Sequence, residues 1–254
     1  MQNLSEQEKL NLYNEVIPTA LEYRRSFIND NQVIEDTFKT IEQLGFLLLR
    51  FPAMDGNTSL GGISIQKKPN YSCIYINSRQ NLGRQYLSCW HECYHSITGE
   101  GSGISYVENA KKDPIEYKAD TFAGMILMPE NLVRQYIKNN NIQLSYLSHT
   151  DIIKMQNYFQ VGYSAMLNRI IQIFPKYKKV LSSRFGIASK SRRTELTQKT
   201  LAVNGDIKLI TPSNDIYIPE SFLDHLQYNI NDSRISKEKV YGILSVIDGI
   251  SDGV

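Results

Sequence analysis

Two histidines four residues apart, His91 and His95, with Glu92 beside the first, narrow the reading of this chain more than any other feature. On a helix this spacing turns both imidazoles to one face, where they can grip a single metal ion. The surrounding pattern is helical. From Leu82 the apolar positions Tyr86, Trp90, Cys93 or Tyr94, and Ile97 form one stripe, and Gly99 and Gly101 end it. Glu92 can lean over the open coordination position and take a proton from a water held there. Zinc brings the pKa of such a water down to about 7, so hydroxide becomes available under mild conditions. The plain alternative is two exposed histidines on an amphipathic helix. The β-rich segment before this helix and the helix's own apolar stripe favour the metal site.

Two histidines and a water leave a tetrahedral ion one ligand short. A third histidine, an acid or a cysteine could complete it. His149 and His225 are isolated, with no supporting partner at helical spacing. Glu116 is the better candidate. It lies on a helix predicted to begin at Asp113-Pro114, an N-cap followed by proline at the first helical position. Asp120 follows one turn later, placed to accept the free ring N–H of a ligating histidine. Two solvated acids on a surface helix would be the default elsewhere, but Ala119, Phe122, Ala123, Met125 and Ile126 need a core to face. Cys89 and Cys93 are also four apart, yet they project from a different azimuth than the histidines and read as small core residues.

The rest of the chain supplies the setting. Residues 4 to 44 have helical spacing, with a break or kink expected near Pro18 and a stop at Gly45. Short strands are expected at 46–50, 63–66 and 72–77, with turn signals between them. Residues 99–113 read as a loop. Helices follow at 114–128, 129–137, 150–159 and 163–174. Between Lys176 and Lys199 eight basic residues stand against one acidic residue, the mark of an exposed connection or boundary. Beyond it, strand-like runs at 208–210 and 216–218 mix with helical ones near 220–228 and 236–247. The expected architecture is α+β, mainly helical with a small antiparallel or mixed sheet. Residues 1–175 would carry the site, and 176–254 would form a smaller mixed C-terminal region.

Charge and composition exclude several classes. Twenty-eight basic residues against 26 acidic ones leave +2 over 254 residues, less basic than expected of a chain held to nucleic acid by phosphate neutralisation. No apolar run approaches the roughly 20 residues of a spanning helix. The N-terminus lacks the basic flank and apolar core of a signal peptide, and three cysteines are too few for a disulfide framework. A cytoplasmic protein is expected.

Three segments together resemble a known family. Ile74-Tyr-Ile-Asn77, Tyr86-Leu-Ser-Cys-Trp-His-Glu-Cys-Tyr-His95 and Ile115-Glu-Tyr-Lys-Ala-Asp-Thr-Phe-Ala-Gly-Met-Ile-Leu-Met-Pro129 look like the ImmA/IrrE metallopeptidases, and Phe159 to Arg169 is similar to that family's later helical segment. The resemblance covers about residues 40–172. It implies a gluzincin-like, zincin-type fold with His91, His95 and Glu116 as zinc ligands and Glu92 as general base. It also implies a protein substrate, a helix-turn-helix transcriptional repressor in a bacterial or mobile-element switch. One departure stands out: family members often carry a small residue before the second histidine, where this chain has Tyr94.

The expected activity is therefore zinc-dependent endoproteolysis, with the substrate extended along an edge strand at Ile74, Tyr75, Ile76 and Asn77. Tyr94, Tyr106 and His149 are candidate oxyanion donors. Two rival readings remain. One is a metal-stabilised module that binds a regulator without cutting it. The other is a DNA-binding regulator built on the helices 150–159 and 163–174, whose second helix offers only Arg169 as a basic residue. The basic stretch after Pro175 would then be a solvated connector, or would attract an acidic or DNA-associated partner.

Overall fold

The computed structural model describes residues 3–53, 56–66, 72–101, 103–106 and 109–252. The chain opens with α1 (Glu6–Phe27), held at its start by a capping box in which Ser5 and Glu8 satisfy each other's backbone N–H. The helix runs unbroken through Pro18, so the expected break is absent. Proline removes one hydrogen bond but its fixed φ is helical, and α1 gains a long packing contact against the helix that carries Glu116. Its buried Arg24 donates to the carbonyls of Ile126 and Gln32, tying α1 to that helix and to the following turn. A short α2 (Thr37–Gln43), capped by Asp36, ends before Gly45, which takes the left-handed conformation at φ +88°.

A four-stranded mixed sheet follows: β1 (Leu47–Phe51), β2 (Leu60–Gln66), β3 (Ser72–Asn77) and β4 (Ile104–Tyr106), in the order β1-β3-β2-β4. β3 pairs parallel with β1 and antiparallel with β2, and β2 pairs antiparallel with β4. Two expectations change here. β4 lies within the segment read as loop. Ile74 to Asn77 is not an edge strand, because β3 is hydrogen-bonded on both sides. The reason is visible in its composition: Cys73, Ile74 and Ile76 are all buried, the near-continuous apolar run of an interior strand. Asn77 is likewise a structural hub. Its side chain donates to the carbonyls of Asn57 and Leu60 and accepts from the N–H of Ala53 and Arg79.

Against this sheet lies α3 (Leu82–Thr98), begun by Asn81 and ended by Gly99 in the left-handed conformation at φ +70°. It is buried almost all round, between β2 and β3 on one side and α4 (Pro114–Leu127) on the other. Gly83 lets its first turn approach the loop at 161–162 so closely that an added Cβ would stand 2.3 Å from the Gly162 nitrogen. Cys89 and Cys93 are buried free thiols among this packing, as expected of core residues.

The helices α5 (Glu130–Asn139), α6 (His149–Phe159) and α7 (Tyr163–Ile173) complete the expected series. Beyond Pro175 the chain does not become a simple connector. It forms α8 (Lys178–Ser182), 3-10 turns, α9 (Arg193–Leu201) and a 3-10 turn at Ile207–Leu209 where a strand was expected. Asp206 accepts the Lys208 N–H there, which favours the turn over extension. Tyr217 then exchanges backbone hydrogen bonds with Arg50 of β1 in a single antiparallel bridge, followed by α10 (Glu220–Asn231) and α11 (Lys237–Asp252).

Apolar side chains therefore stay in the core well past 174: Leu181, Ile187, Leu196, Leu209 and Ile210 are buried with those of α3 and α4. At ~1.5–3 kcal/mol for each such side chain, their loss is on the order of 10 kcal/mol, comparable to the whole stability of a domain. A chain truncated at Pro175 is thus expected to be insoluble. A soluble truncated product with a cooperative melt, seen by circular dichroism, would contradict this.

Candidate metal centre

α3 and α4 are each other's most extensive helix neighbours, and the site is built where they face. On α3, His91 and His95 sit one turn apart and both rings turn inward, with their Nε2 atoms 3.1 Å apart. On α4, Asp113 caps the helix by accepting the N–H groups of Ile115 and Glu116. Glu116 therefore starts the first turn with its carboxylate pointing at the histidines. One of its oxygens is 3.4 Å from His91 Nε2 and the other 3.4 Å from His95 Nε2. All three residues are buried, and one ligand atom from each lies within 4.8 Å of the others.

The opposite ring nitrogens are both engaged. His91 Nδ1 lies 2.7 Å from Asp120 Oδ1, and Arg84 stands 3.7 Å behind that carboxylate. His95 Nδ1 lies 2.8 Å from the backbone carbonyl of Glu100. With each Nδ1–H donating outward, each Nε2 lone pair faces the centre, as a metal requires.

The electrostatics fit a cation. Burial alone would push the His91 pKa down, but hydrogen bonds from its ring to Asp120 and Glu116, with the negative field of Glu92, raise it to about 10. Burial pushes Glu116 up, yet its contacts with His91 and His95 bring it down to about 2. Without a metal, the carboxylates around His91 thus favour positive charge on that ring. The sign follows from linkage. A histidine whose folded pKa lies above its unfolded value contributes stability that is full below the unfolded pKa near 6.5 and is lost as pH rises towards 10. Thermal melts of chelator-treated protein should therefore fall between pH 6.5 and pH 10, and Asp120→Asn should flatten that fall. A metal-free melting temperature that rises across this range would contradict the assignment.

Glu92 completes the centre. It is fully buried, with the Ser105 and Ser64 hydroxyls as its hydrogen-bonding neighbours, and burying a carboxylate costs free energy unless the group is used. Burial raises its pKa, while the charge of His91 and the nearby hydroxyls of Ser105 and Ser64 pull it part of the way back. Those serines come from β4 and β2, so the sheet margin frames the Glu92 carboxylate. Gly62 of β2 is required there: an added Cβ would stand 2.9 Å from Glu92 Cγ and 2.9 Å from the Tyr75 carbonyl. Gly62→Ala is expected to push Glu92 aside and lower any hydrolytic rate about 10- to 100-fold, the scale of an ångström-sized misplacement. Unchanged turnover in that variant would show that the Glu92 position is not critical.

The other expected site residues are dispersed. Tyr94 is buried against Phe122, with ring centroids 5.5 Å apart, and its hydroxyl donates to Glu100 Oε2 at 3.0 Å. That hydroxyl is engaged by Glu100 and not directed at the metal-ligand cluster by any contact among the described residues. Tyr106 lies on β4 beside Ser105, and alternation puts it on the face opposite to the one that meets Glu92. His149 begins α6, its Nδ1 2.7 Å from the Tyr163 hydroxyl among Arg184, Lys199 and Arg192. Neither it nor His225, on α10, belongs to the metal-ligand cluster. Arg169 of α7 is also buried, donating to the Met128 carbonyl and the Tyr13 hydroxyl, which removes it from any nucleic-acid surface. Sequence reasoning missed the Glu100 carbonyl, Arg84, Ser64 and Ser105. Only Gly62 and Gly101, which pack against Glu92 and His95, left a trace that could have been read.

No helix among the described residues is long and apolar enough to cross a membrane. Residues 41–170 match the profile of the IrrE N-terminal-like domain of peptidase family M78, just over half of the chain and the whole of α3, α4 and the sheet. No curated protein matches the chain.

Proposed function

Because the chain belongs to the IrrE N-terminal-like peptidase family M78, we propose that it is a zinc-dependent endopeptidase acting on a protein substrate, a helix-turn-helix transcriptional repressor. One observation carries the reading. Two imidazoles and a carboxylate converge on one buried point, with a second, fully buried glutamate one residue from the first histidine. His91, His95 and Glu116 would hold the ion. Neutral imidazole nitrogens with one carboxylate suit zinc, and three protein ligands leave a position open for chemistry. Zinc at that point would supply Lewis-acid polarisation of a carbonyl and of a water.

The chain's own residues do the rest. Glu92 accepts the proton of the attacking water at a carboxylate oxygen and returns it to the departing amine nitrogen. Its burial helps, since a carboxylate stripped of bulk solvent is a stronger base towards a water beside it. Asp120 and the Glu100 carbonyl keep both rings in the tautomer that faces the centre. The sheet margin nearest Glu92 is β4, and an extended substrate would lie alongside it. β4 replaces Ile74 to Asn77 in that role.

The test is incubation of zinc-loaded protein with a helix-turn-helix repressor encoded beside it, read by mass spectrometry of the fragments. A single internal cut, lost on chelation and restored by zinc, supports the reading. Stable binding of the repressor without fragments would instead identify a non-catalytic module.

A further inference from the structure

The geometry points to Glu100 as a positioning residue: its carboxylate, clamped by Tyr94 and Lys118, holds its own backbone carbonyl against His95 and so aims that ring's Nε2 at the centre. The inference rests on the metal site proposed above.

Glu100 follows the helix end at Gly99, outside the His-Glu-x-x-His turn. Its backbone carbonyl lies 2.8 Å from His95 Nδ1. Its side chain reaches in two other directions, to the Tyr94 hydroxyl at 3.0 Å and to Lys118 Nζ at 2.7 Å. Each partner carries a distinct link. Tyr94 precedes the second histidine on α3. Lys118 lies two residues beyond Glu116 on α4. One carboxylate therefore ties the loop that orients His95 to both helices that carry the proposed ligands. Isolated exposed ion pairs contribute little, but here the lysine is largely buried, at 16% side-chain exposure, and a second donor shares the carboxylate.

The described ends of the loop are held by backbone hydrogen bonds, Gly99 N–H to the His95 carbonyl and Ser64 N–H to the Gly103 carbonyl, while Glu100 lies between them. Thr98 Oγ1 accepts the Glu100 N–H at 3.2 Å, and Gly99 and Gly101 both take positive φ. At Gly101 the backbone lies directly on the imidazole, where an added Cβ would stand 2.6 Å from His95 Nδ1. With the carboxylate released, the carbonyl is free to move off the ring. The Nδ1–H bond then weakens, and the other tautomer, with its proton on Nε2, becomes available. That tautomer carries its lone pair on Nδ1, turned away from the centre, and has none at Nε2 to give a metal there. Tyr94 and Lys118 act through Glu100, and Glu100 acts through His95.

The experiment uses the full chain and its Tyr94→Phe, Lys118→Met and Glu100→Ala variants. Two quantities are read: zinc affinity by chelator competition, and exchange protection of the His95 Nδ1 proton by NMR on histidine-labelled protein, with and without zinc. Tyr94→Phe removes only a hydroxyl. It should weaken zinc binding about 10-fold and Glu100→Ala by up to about 100-fold, the range for lost partners of metal-ligating histidines. Adding Tyr94→Phe to Glu100→Ala should cost nothing more, because both act through one carboxylate. The His95 proton should exchange faster in each variant. Unchanged zinc affinity and unchanged protection in Tyr94→Phe and Glu100→Ala, whatever happens to the melting temperature, would overturn the inference. If wild-type protein takes no zinc while protection of the His95 proton still depends on Tyr94, the positioning role stands and the metal reading falls.

Discussion

Glu92→Gln is expected to keep the fold and full zinc occupancy while losing proteolysis by about 10²–10⁴ in rate, the contribution of a positioned general base. Glutamine has the shape of glutamate and the same reach past Gly62, but it cannot accept the water's proton. The substitution also removes a fully buried charge, so the variant should melt no lower than wild type, as is common where a site holds a costly group for function. Loss of activity without loss of stability separates a chemical role from a structural one. Fragment appearance followed by mass spectrometry, beside a melting curve and a zinc assay on the same preparation, checks all three. Cleavage at the wild-type rate would remove Glu92 from the mechanism.

The second large effect is on the metal itself. Glu116→Ala deletes one of three converging donors and leaves two imidazoles facing each other with no carboxylate between them. Zinc should then be lost on dialysis, and activity with it. Asp120→Ala should be milder, weakening binding by about 10- to 100-fold, because the ring it orients remains. The order of the two effects matters more than their sizes. If Asp120→Ala proved the more damaging, the roles of the two α4 acids would be reversed. Full zinc occupancy in Glu116→Ala would mean that another residue supplies the third ligand.

Much of this centre was legible in the sequence because its parts are local. The i, i+4 histidines, the Asp113-Pro114 helix start and the Glu116–Asp120 turn are each contained within a few residues, and helix geometry converts such spacing directly into a shared face. Gly99 marked the end of α3 for the same reason. What was not legible depends on pairing at a distance or on backbone atoms. β4 is three residues long and exists because β2 accepts it. The Glu100 carbonyl has no side-chain signature. Ile74 to Asn77 was assigned to an edge because a short apolar run does not say how many neighbours it has. Lys208 to Ile210 shows the related ambiguity, a strand-like run that a cap at Asp206 turned into a 3-10 helix. At Pro18 the chain does not break, because tertiary packing of α1 on α4 carries the helix through it. The basic stretch after Pro175 read as an exposed connector, yet Leu181, Ile187 and Leu196 anchor it in the core while most of its cations stay exposed and Arg184 and Lys199 are half-buried.

The central claim is that α3 and α4 together form one zinc site of three protein ligands. The most direct measurement is the zinc content of the purified full-length protein after exhaustive dialysis, by inductively coupled plasma mass spectrometry, with His91→Ala measured alongside. The account predicts one zinc per chain in the wild type and none in the variant. A wild-type chain that retains no zinc and cannot be loaded with it, or a His91→Ala chain that retains one, would contradict it.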